Sequence, residues 1–210
     1  MSELHLILVG SPRVRGASAR FATKLAHALE TASSNEGDPP VLVEQFSVAE
    51  RLVSGCLGCG FCDAKPVCVI DDDMVRLYRL LDQASAVHVV CPVYFSGVPA
   101  QFKAVIDRLQ LCYQTLRRDR ESGAPRPPKR PMALYLFGDG GDPHGHSAAE
   151  SEVRSAFAVA GFALTRIHSF IGKDKSLQSL HFLRDARDVA LHSTRLDPNH
   201  FESRQGSDRR

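Results

Sequence analysis

Five short apolar runs, each separated from the next by helical periodicity, constrain this chain more than any other feature. The runs are Leu4–Val9, Val41–Phe46, Ala86–Cys91, Met132–Phe137 and Phe162–Phe170. The first, Leu4–Val9, is a short apolar run of the kind that marks a parallel strand buried on both faces, and Ala86–Cys91 is strongly β-branched. Between them, positions such as Phe21, Leu25, Ala28 and Leu29 recur at helical spacing from Ser18 to Glu30. Further helices are expected from Asp71 for about a dozen residues, from Pro99 to about Arg108, over Ala148–Ala160 and over Leu180–Leu191. Such alternation predicts an α/β fold with a parallel sheet covered on both faces. Ligands of such sheets bind beyond the carboxyl ends of the strands, where strand order switches. The loops after the first, third and fourth strands are therefore the candidate binding loops.

At 210 residues, 43% of them apolar, the chain has ample apolar side chain for one core. It reads as one domain over 1–193 with an insertion at 52–70 and a polar tail at 194–210. Lys plus Arg number 26 against 24 for Asp plus Glu, so bulk charge does not argue for nucleic acid. No apolar run approaches the ~20 residues of a membrane helix. The start MSELHLILVGSPR lacks the basic opening of a secretory signal. The expectation is a cytoplasmic protein with neither membrane nor nucleic-acid partner. In that compartment six cysteines suggest metal, cluster or redox chemistry rather than a disulfide framework.

The first loop, Gly10-Ser11-Pro12-Arg13 followed by Gly16-Ala17-Ser18, leads from strand to helix. Its hydroxyls, its arginine and the N–H groups of the helix start suit an anionic phosphate. It is neither a P-loop nor a G-x-G-x-x-G fingerprint, and a plain turn with Ser18 as N-cap is the competing reading. The third loop, Pro92-Val93-Tyr94-Phe95-Ser96-Gly97, offers two aromatics either to a planar ligand or to the core. Lys103, Asp107 and Arg108 read as a helix surface paired at i, i+4. Asp71–Asp73 read as helix-start acids, with Asp71 or Asp72 as cap, and His144 and His146 as a solvated loop. The basic, proline-rich run Arg117–Pro131 reads as a mobile surface loop.

The ordered series Gly10-Ser11-Pro12-Arg13, Gly55-Cys56 to Cys68, Asp72-Asp73-Met74, Pro92-Val93-Tyr94-Phe95 and Lys103 to Arg108 resembles the NADPH-dependent FMN reductase family. Within it, the series is most similar to the iron–sulfur flavoproteins. The resemblance covers about residues 3–170. It implies a flavodoxin-like three-layer sandwich with five parallel strands in the order 2-1-3-4-5. It implies that Ser11, Arg13, Gly16, Ala17 and Ser18 hold the FMN phosphate. Where relatives often carry Asn-Ser or Asn-Thr, this chain has Ala17-Ser18, which leaves position 17 to its backbone. Pro92, Val93, Tyr94, Phe95, Ser96 and Gly97 would run along the isoalloxazine, with Gly138, Asp139 and Gly140 at its other edge. NAD(P)H is the implied reductant, and a homodimer or homotetramer the implied assembly.

Cys56-x-x-Cys59-x-x-Cys62-x5-Cys68 puts four thiols into thirteen residues, with Gly55, Gly58 and Gly60 to let the backbone fold around one centre. Compact Cys-x-x-Cys-x-x-Cys runs suit a [4Fe–4S] cluster, and the resemblance implies the same. All-cysteine zinc, a redox disulfide and free thiols remain open. Flavin chemistry requires orientation and tuning rather than a protein nucleophile, so no acid–base catalytic residue is expected. The function implied is NAD(P)H-dependent reduction of flavin- or quinone-type acceptors, or electron transfer through the cluster. The rival readings are a non-enzymatic carrier between proteins and a flavodoxin-like module with structural zinc or redox-active cysteines.

Overall fold

The computed structural model describes residues 3–32 and 40–172. Its elements are β1 (Glu3–Val9), α1 (Ala17–Ala32), β2 (Val41–Ser47), α2 (Phe61–Ala64), α3 (Met74–Gln83), β3 (Ala86–Pro92), α4 (Ala100–Arg108), α5 (Gln110–Glu121), β4 (Arg130–Gly138), α6 (Ser147–Val159) and β5 (Phe162–Ile171). The strands form one parallel sheet in the order β2-β1-β3-β4-β5, as expected. The expected last helix, Leu180–Leu191, and the tail lie outside the described residues.

Alternate residues of each strand face opposite layers. Leu6, Leu8, Val87, Val89 and Cys91 pack with Met74, Leu77, Phe102, Val105, Val153 and Phe157 of α3, α4 and α6. Ile7, Val9 and Val90 pack with Phe21, Leu25 and Leu29 of α1 on the other face. Each large side chain so buried contributes about 1.5–3 kcal/mol. The α1 face also holds a polar chain: His5 Nδ1 lies 3.1 Å from His88 Nε2, and His88 Nδ1 lies 3.2 Å from the Tyr135 hydroxyl. Both imidazoles are fully buried.

Three local expectations change. Ser18 is not the cap but the second residue of α1. The helix expected from Asp71 begins at Met74, whose N–H donates to Asp72 Oδ1 at 3.0 Å, so Asp72 caps it from two residues upstream. The run expected as a loop from Arg117 is helical to Glu121 as the end of α5. Gln110–Glu121 contains neither Gly nor Pro and adds an Arg117–Glu121 pair at 3.4 Å, so the breakers take effect only from Gly123 onward. At the other end of that run Arg130 opens β4. Its guanidinium donates to the carbonyls of Leu81, Asp82 and Ala84 at 2.8–2.9 Å, which satisfies the end of α3.

Candidate functional site

The carboxyl ends of β1, β3, β4 and β5 enclose a cavity of about 430 Å3. That is within the ~300–1,000 Å3 usual for small-molecule sites. Ser11, Arg13, Gly16, Ala17, Ser18, Pro92, Val93, Tyr94, Phe95, Ser96, Gly138, Asp139 and Gly140 all line it. Gly97 does not. It closes the turn beneath, its N–H donating to Tyr94 O at 3.0 Å while Tyr94 N–H donates to Gly97 O at 2.9 Å. Phe137, Phe170 and Ile171 also line the cavity and were missed by sequence reasoning. They terminate β4 and β5, and the carboxyl-end rule applied to the last residue of each strand would have found them.

The first loop is closed by Gly16 N–H to Arg13 O at 3.2 Å and Arg13 N–H to Ser11 Oγ at 3.2 Å. Ser11 and Ser18 are buried in its floor. The first backbone bond of α1 runs from Arg20 N–H to Gly16 O, so the N–H groups of Ala17, Ser18 and Ala19 lack helical partners and concentrate positive potential there. Gly10 is required by close approach: a Cβ there would lie 2.8 Å from two ring carbons of Phe102.

The third loop is a two-residue turn whose central residues, Phe95 (φ 50°) and Ser96 (φ 63°), both adopt left-handed conformations without being glycine. Ser96 anchors it, accepting from Ala149 N–H at 2.9 Å through its carbonyl and donating its hydroxyl to His144 O at 3.4 Å. That anchoring turns Phe95 fully outward, at 100% exposure. The core-packing reading of Phe95 is therefore excluded, and Tyr94 is itself an exposed side chain. Val93, Tyr94 and Gly97 use their N–H groups on Phe137 O, Gly97 O and Tyr94 O. Among the described residues the N–H groups of Phe95 and Ser96 have no such partner.

A second cavity, of about 380 Å3, is lined by Cys56, Cys59, Cys62 and Cys68 together with Asp107, Gln110 and Gln114. Gly58 and Gly60 take positive φ, as expected of a tight wrap, and Gly58 N–H donates to Cys56 Sγ at 3.5 Å. Burial, then the Asp63 carboxylate and the Cys56 and Cys68 sulfurs, push the Cys62 thiol up. Cys56 and Cys68 thus lie near enough to Cys62 to act on it electrostatically. All six cysteines are free thiols. Among the described residues, no three His, Cys, Asp or Glu side chains meet at metal-binding distance. In donor chemistry the segment fits a small thiolate-held centre: four thiols on one cavity, left-handed glycines, and an N–H directed at sulfur.

The segment is held at its base by an ion pair that the sequence reading assigned to the surface. Arg108 is 1% and Asp72 4% exposed, and Nη1 and Nη2 reach the two carboxylate oxygens at 2.9 and 3.2 Å. The same guanidinium donates to Ser54 O at 3.1 Å and Ile70 O at 3.2 Å, one residue on each side of Gly55–Val69. Asp72 accepts from Ser54 N–H at 2.8 Å. Burial pushes the Asp72 carboxyl up, but Arg108 and the N–H groups of Ser54 and Met74 outweigh it and hold it below the usual range. From α5, Arg118 donates to Cys62 O at 2.6 Å. Lys103 and Asp107 do form the expected exposed pair, at 2.6 Å.

The family model described as NADPH-dependent FMN reductase matches residues 5–175. An iron–sulfur flavoprotein of Archaeoglobus fulgidus is 35% identical over 102 residues, 49% of this chain and 43% of that protein. One of Methanosarcina thermophila is 41% identical over 61 residues, 29% of this chain and 32% of its own. The chain thus spans less than half the length of these curated relatives. Among solved structures, an FMN-dependent NADH-azoreductase from Bacillus anthracis in complex with FMN is 12% identical, with 90% of this chain and 98% of that chain covered at a TM-score of 0.60. An NADH:FMN oxidoreductase in its apo form is 13% identical, with 93% and 92% covered at a TM-score of 0.56. At these identities the structural likeness speaks for the fold. Among the described residues no helix is long and apolar enough to cross a membrane.

Proposed function

Because the chain belongs to the NADPH-dependent FMN reductase family, we propose that it is an FMN-dependent oxidoreductase. It takes a hydride from NAD(P)H and passes electrons to a flavin- or quinone-type acceptor, or singly through a [4Fe–4S] cluster on Cys56, Cys59, Cys62 and Cys68. The observation that carries the reading is the convergence of Ser11–Ser18 and Pro92–Ser96 on one cavity at the switch point of the sheet. The name iron–sulfur flavoprotein, carried by the curated relatives, supports the second centre.

FMN, when bound, would supply the acceptance of an electron pair and its release in one or two steps. The chain's own residues bind and orient it. Ser11, Ser18, Arg13 and the N–H groups of Ala17–Ala19 hold the phosphate dianion, a cluster of donors at a helix N-terminus. The aromatic Tyr94–Phe95 turn borders the flat ring. Its two uncommitted N–H groups, on Phe95 and Ser96, are the backbone donors left to stabilise negative charge that develops on the ring. Phe137, Phe170 and Ile171 exclude water from the inner edge.

The test is anaerobic purification with a visible spectrum, iron and sulfide assays on the same sample, and mixing with NADPH or NADH. Flavin bands over broad cluster absorption, about four irons per chain and bleaching by a nicotinamide nucleotide are expected. Flavin without iron withdraws the cluster. Flavin that neither nucleotide bleaches replaces the enzyme with an electron carrier. Colourless protein that does not quench FMN fluorescence refutes the reading.

A further inference from the structure

We propose that Gln114 donates a hydrogen bond to sulfur in the group held by Cys56, Cys59, Cys62 and Cys68, and that this bond raises the reduction potential of that group. The proposal rests on the cluster reading above and names a residue that tunes it.

Gln114 sits in the middle of α5, 5% exposed, and lines the cysteine cavity. Its side-chain oxygen is buried and, among the described residues, has no hydrogen-bond partner. A buried polar group left in that state costs about 1–3 kcal/mol, so its retention calls for a partner that the protein alone does not provide. The other polar side chains of the wall do not serve. Asp107 is engaged by Lys103 at 2.6 Å, and Asp63 and Gln110, the latter one turn earlier on α5, are exposed to water. What remains in the cavity is sulfur.

An amide suits a site whose sulfurs change character. A thiol carries a proton and can donate to Oε1. A thiolate or a bound sulfide has none and only accepts. Rotation about the last side-chain torsion, which is broad and two-fold, exchanges Oε1 for Nε2 and presents N–H instead. A glutamate could serve only the protonated thiols, and a lysine only the deprotonated sulfurs. An N–H directed at sulfur stabilises the more negative, reduced form, and such outer contacts are among the terms that set iron–sulfur potentials. The helix that carries Gln114 is tied to the cysteine segment, because Arg118, one turn further along, clamps the Cys62 carbonyl at 2.6 Å.

The experiment compares the wild type with Gln114→Met, which is unbranched and cannot donate, after anaerobic purification. Iron and sulfide are counted, and the cluster midpoint is measured by titration followed by electron paramagnetic resonance. With iron and sulfide at wild-type levels, Gln114→Met should make reduction about tenfold less favourable, a fall of 59 mV for a one-electron couple. Exchange into deuterated water should shift the iron–sulfur stretching bands less in the variant than in the wild type. Gln110→Met, on the hydrated wall, should leave the midpoint in place. A full cluster with an unmoved midpoint in Gln114→Met overturns the proposal, as does an equal shift in Gln110→Met. If Gln114→Met does not retain iron, Gln114→Leu, which is uncharged and cannot donate, decides: an unmoved midpoint overturns the proposal and a fall supports it. Wild type without iron and sulfide overturns the cluster reading itself, and this inference with it.

Discussion

Replacing Arg108 by Met should be among the most damaging single changes in the described part of the chain, and the reason is local. Methionine fills much of the volume but removes the cation that neutralises Asp72, which is 4% exposed, and the donors to Ser54 O and Ile70 O. Removing one partner of a buried pair costs about 3–5 kcal/mol, because the other charge stays behind without compensation. At roughly 2–4 °C per kcal/mol for a chain of this size, the melting midpoint should fall by roughly 6–20 °C. The exposed Lys103–Asp107 pair on the same helix is the internal control: Lys103→Ala should cost less than about 1 kcal/mol. Arg108→Met combined with Asp72→Leu should be more stable than Arg108→Met alone, since the stranded carboxylate is gone. Thiol-labelling of Cys56, Cys59 and Cys68 should accelerate in Arg108→Met relative to Cys91, which is buried in the sheet. A loss below about 1 kcal/mol by denaturant unfolding, or strict additivity of the two substitutions, would refute the argument.

Burial, and then the neighbouring His5, push the His88 imidazole down to about 3. Its contribution to stability is complete above the unfolded value of 6.5 and is lost as pH falls toward 3. Between about pH 6.5 and 5 the loss amounts to about 1.6 kcal/mol, and urea midpoints that do not move across that interval would contradict it. Gly10→Ala should lose about 1–3 kcal/mol by forcing a methyl against Phe102 and should weaken FMN binding. Unchanged denaturation and flavin titration curves would show that the ring gives way. Phe95→Gly should stabilise the protein by about 1 kcal/mol by releasing a left-handed non-glycine residue that is fully exposed. A lower denaturation midpoint would mean that the aromatic ring is held by contacts of its own.

The sheet was legible because the central strands β1, β3 and β4 are short, largely apolar runs, the pattern of strands covered on both faces, and helical periodicity separates them from the more polar edge strands β2 and β5. The phosphate loop was legible because Ser11, Arg13 and Ser18 stand between a strand and a helix, where donors gather. Arg108 was not. Its partner Asp72 is 36 residues away, whereas Asp107 lies beside it and offers an i, i+4 explanation with Lys103 that is correct for lysine alone. Asp72 was half read: it does cap α3 through Met74 N–H, but the same carboxylate spans to Ser54 and Arg108. The helical end of the Arg117–Pro131 run was hidden by the prolines beyond it, since composition averaged over that run reports the loop and not the helix preceding it. Gln114 carries no signal in the sequence, because a buried glutamine differs from an exposed one only in what surrounds it.

The two cavities are joined by one piece of rigid backbone. α4 begins directly after the Tyr94–Gly97 turn that borders the first cavity and ends at Arg108, which holds both ends of the cysteine segment. Nine helical residues at about 1.5 Å each make a strut of about 14 Å. Phe102, Val105 and Ile106 fix that strut to the sheet, and Phe102 does so against the space that Gly10 keeps clear at the head of the phosphate loop. The break at Leu109 then turns the chain into α5, whose Gln114 and Arg118 face the cysteine segment from the other side. A displacement of α4 therefore cannot be confined to one cavity: its first turn moves the loop that follows β3, and its last residue moves Ser54 and Ile70. This coupling needs no conformational switch. It follows from placing a buried arginine at one end of a nine-residue helix and a strained, anchored turn at the other.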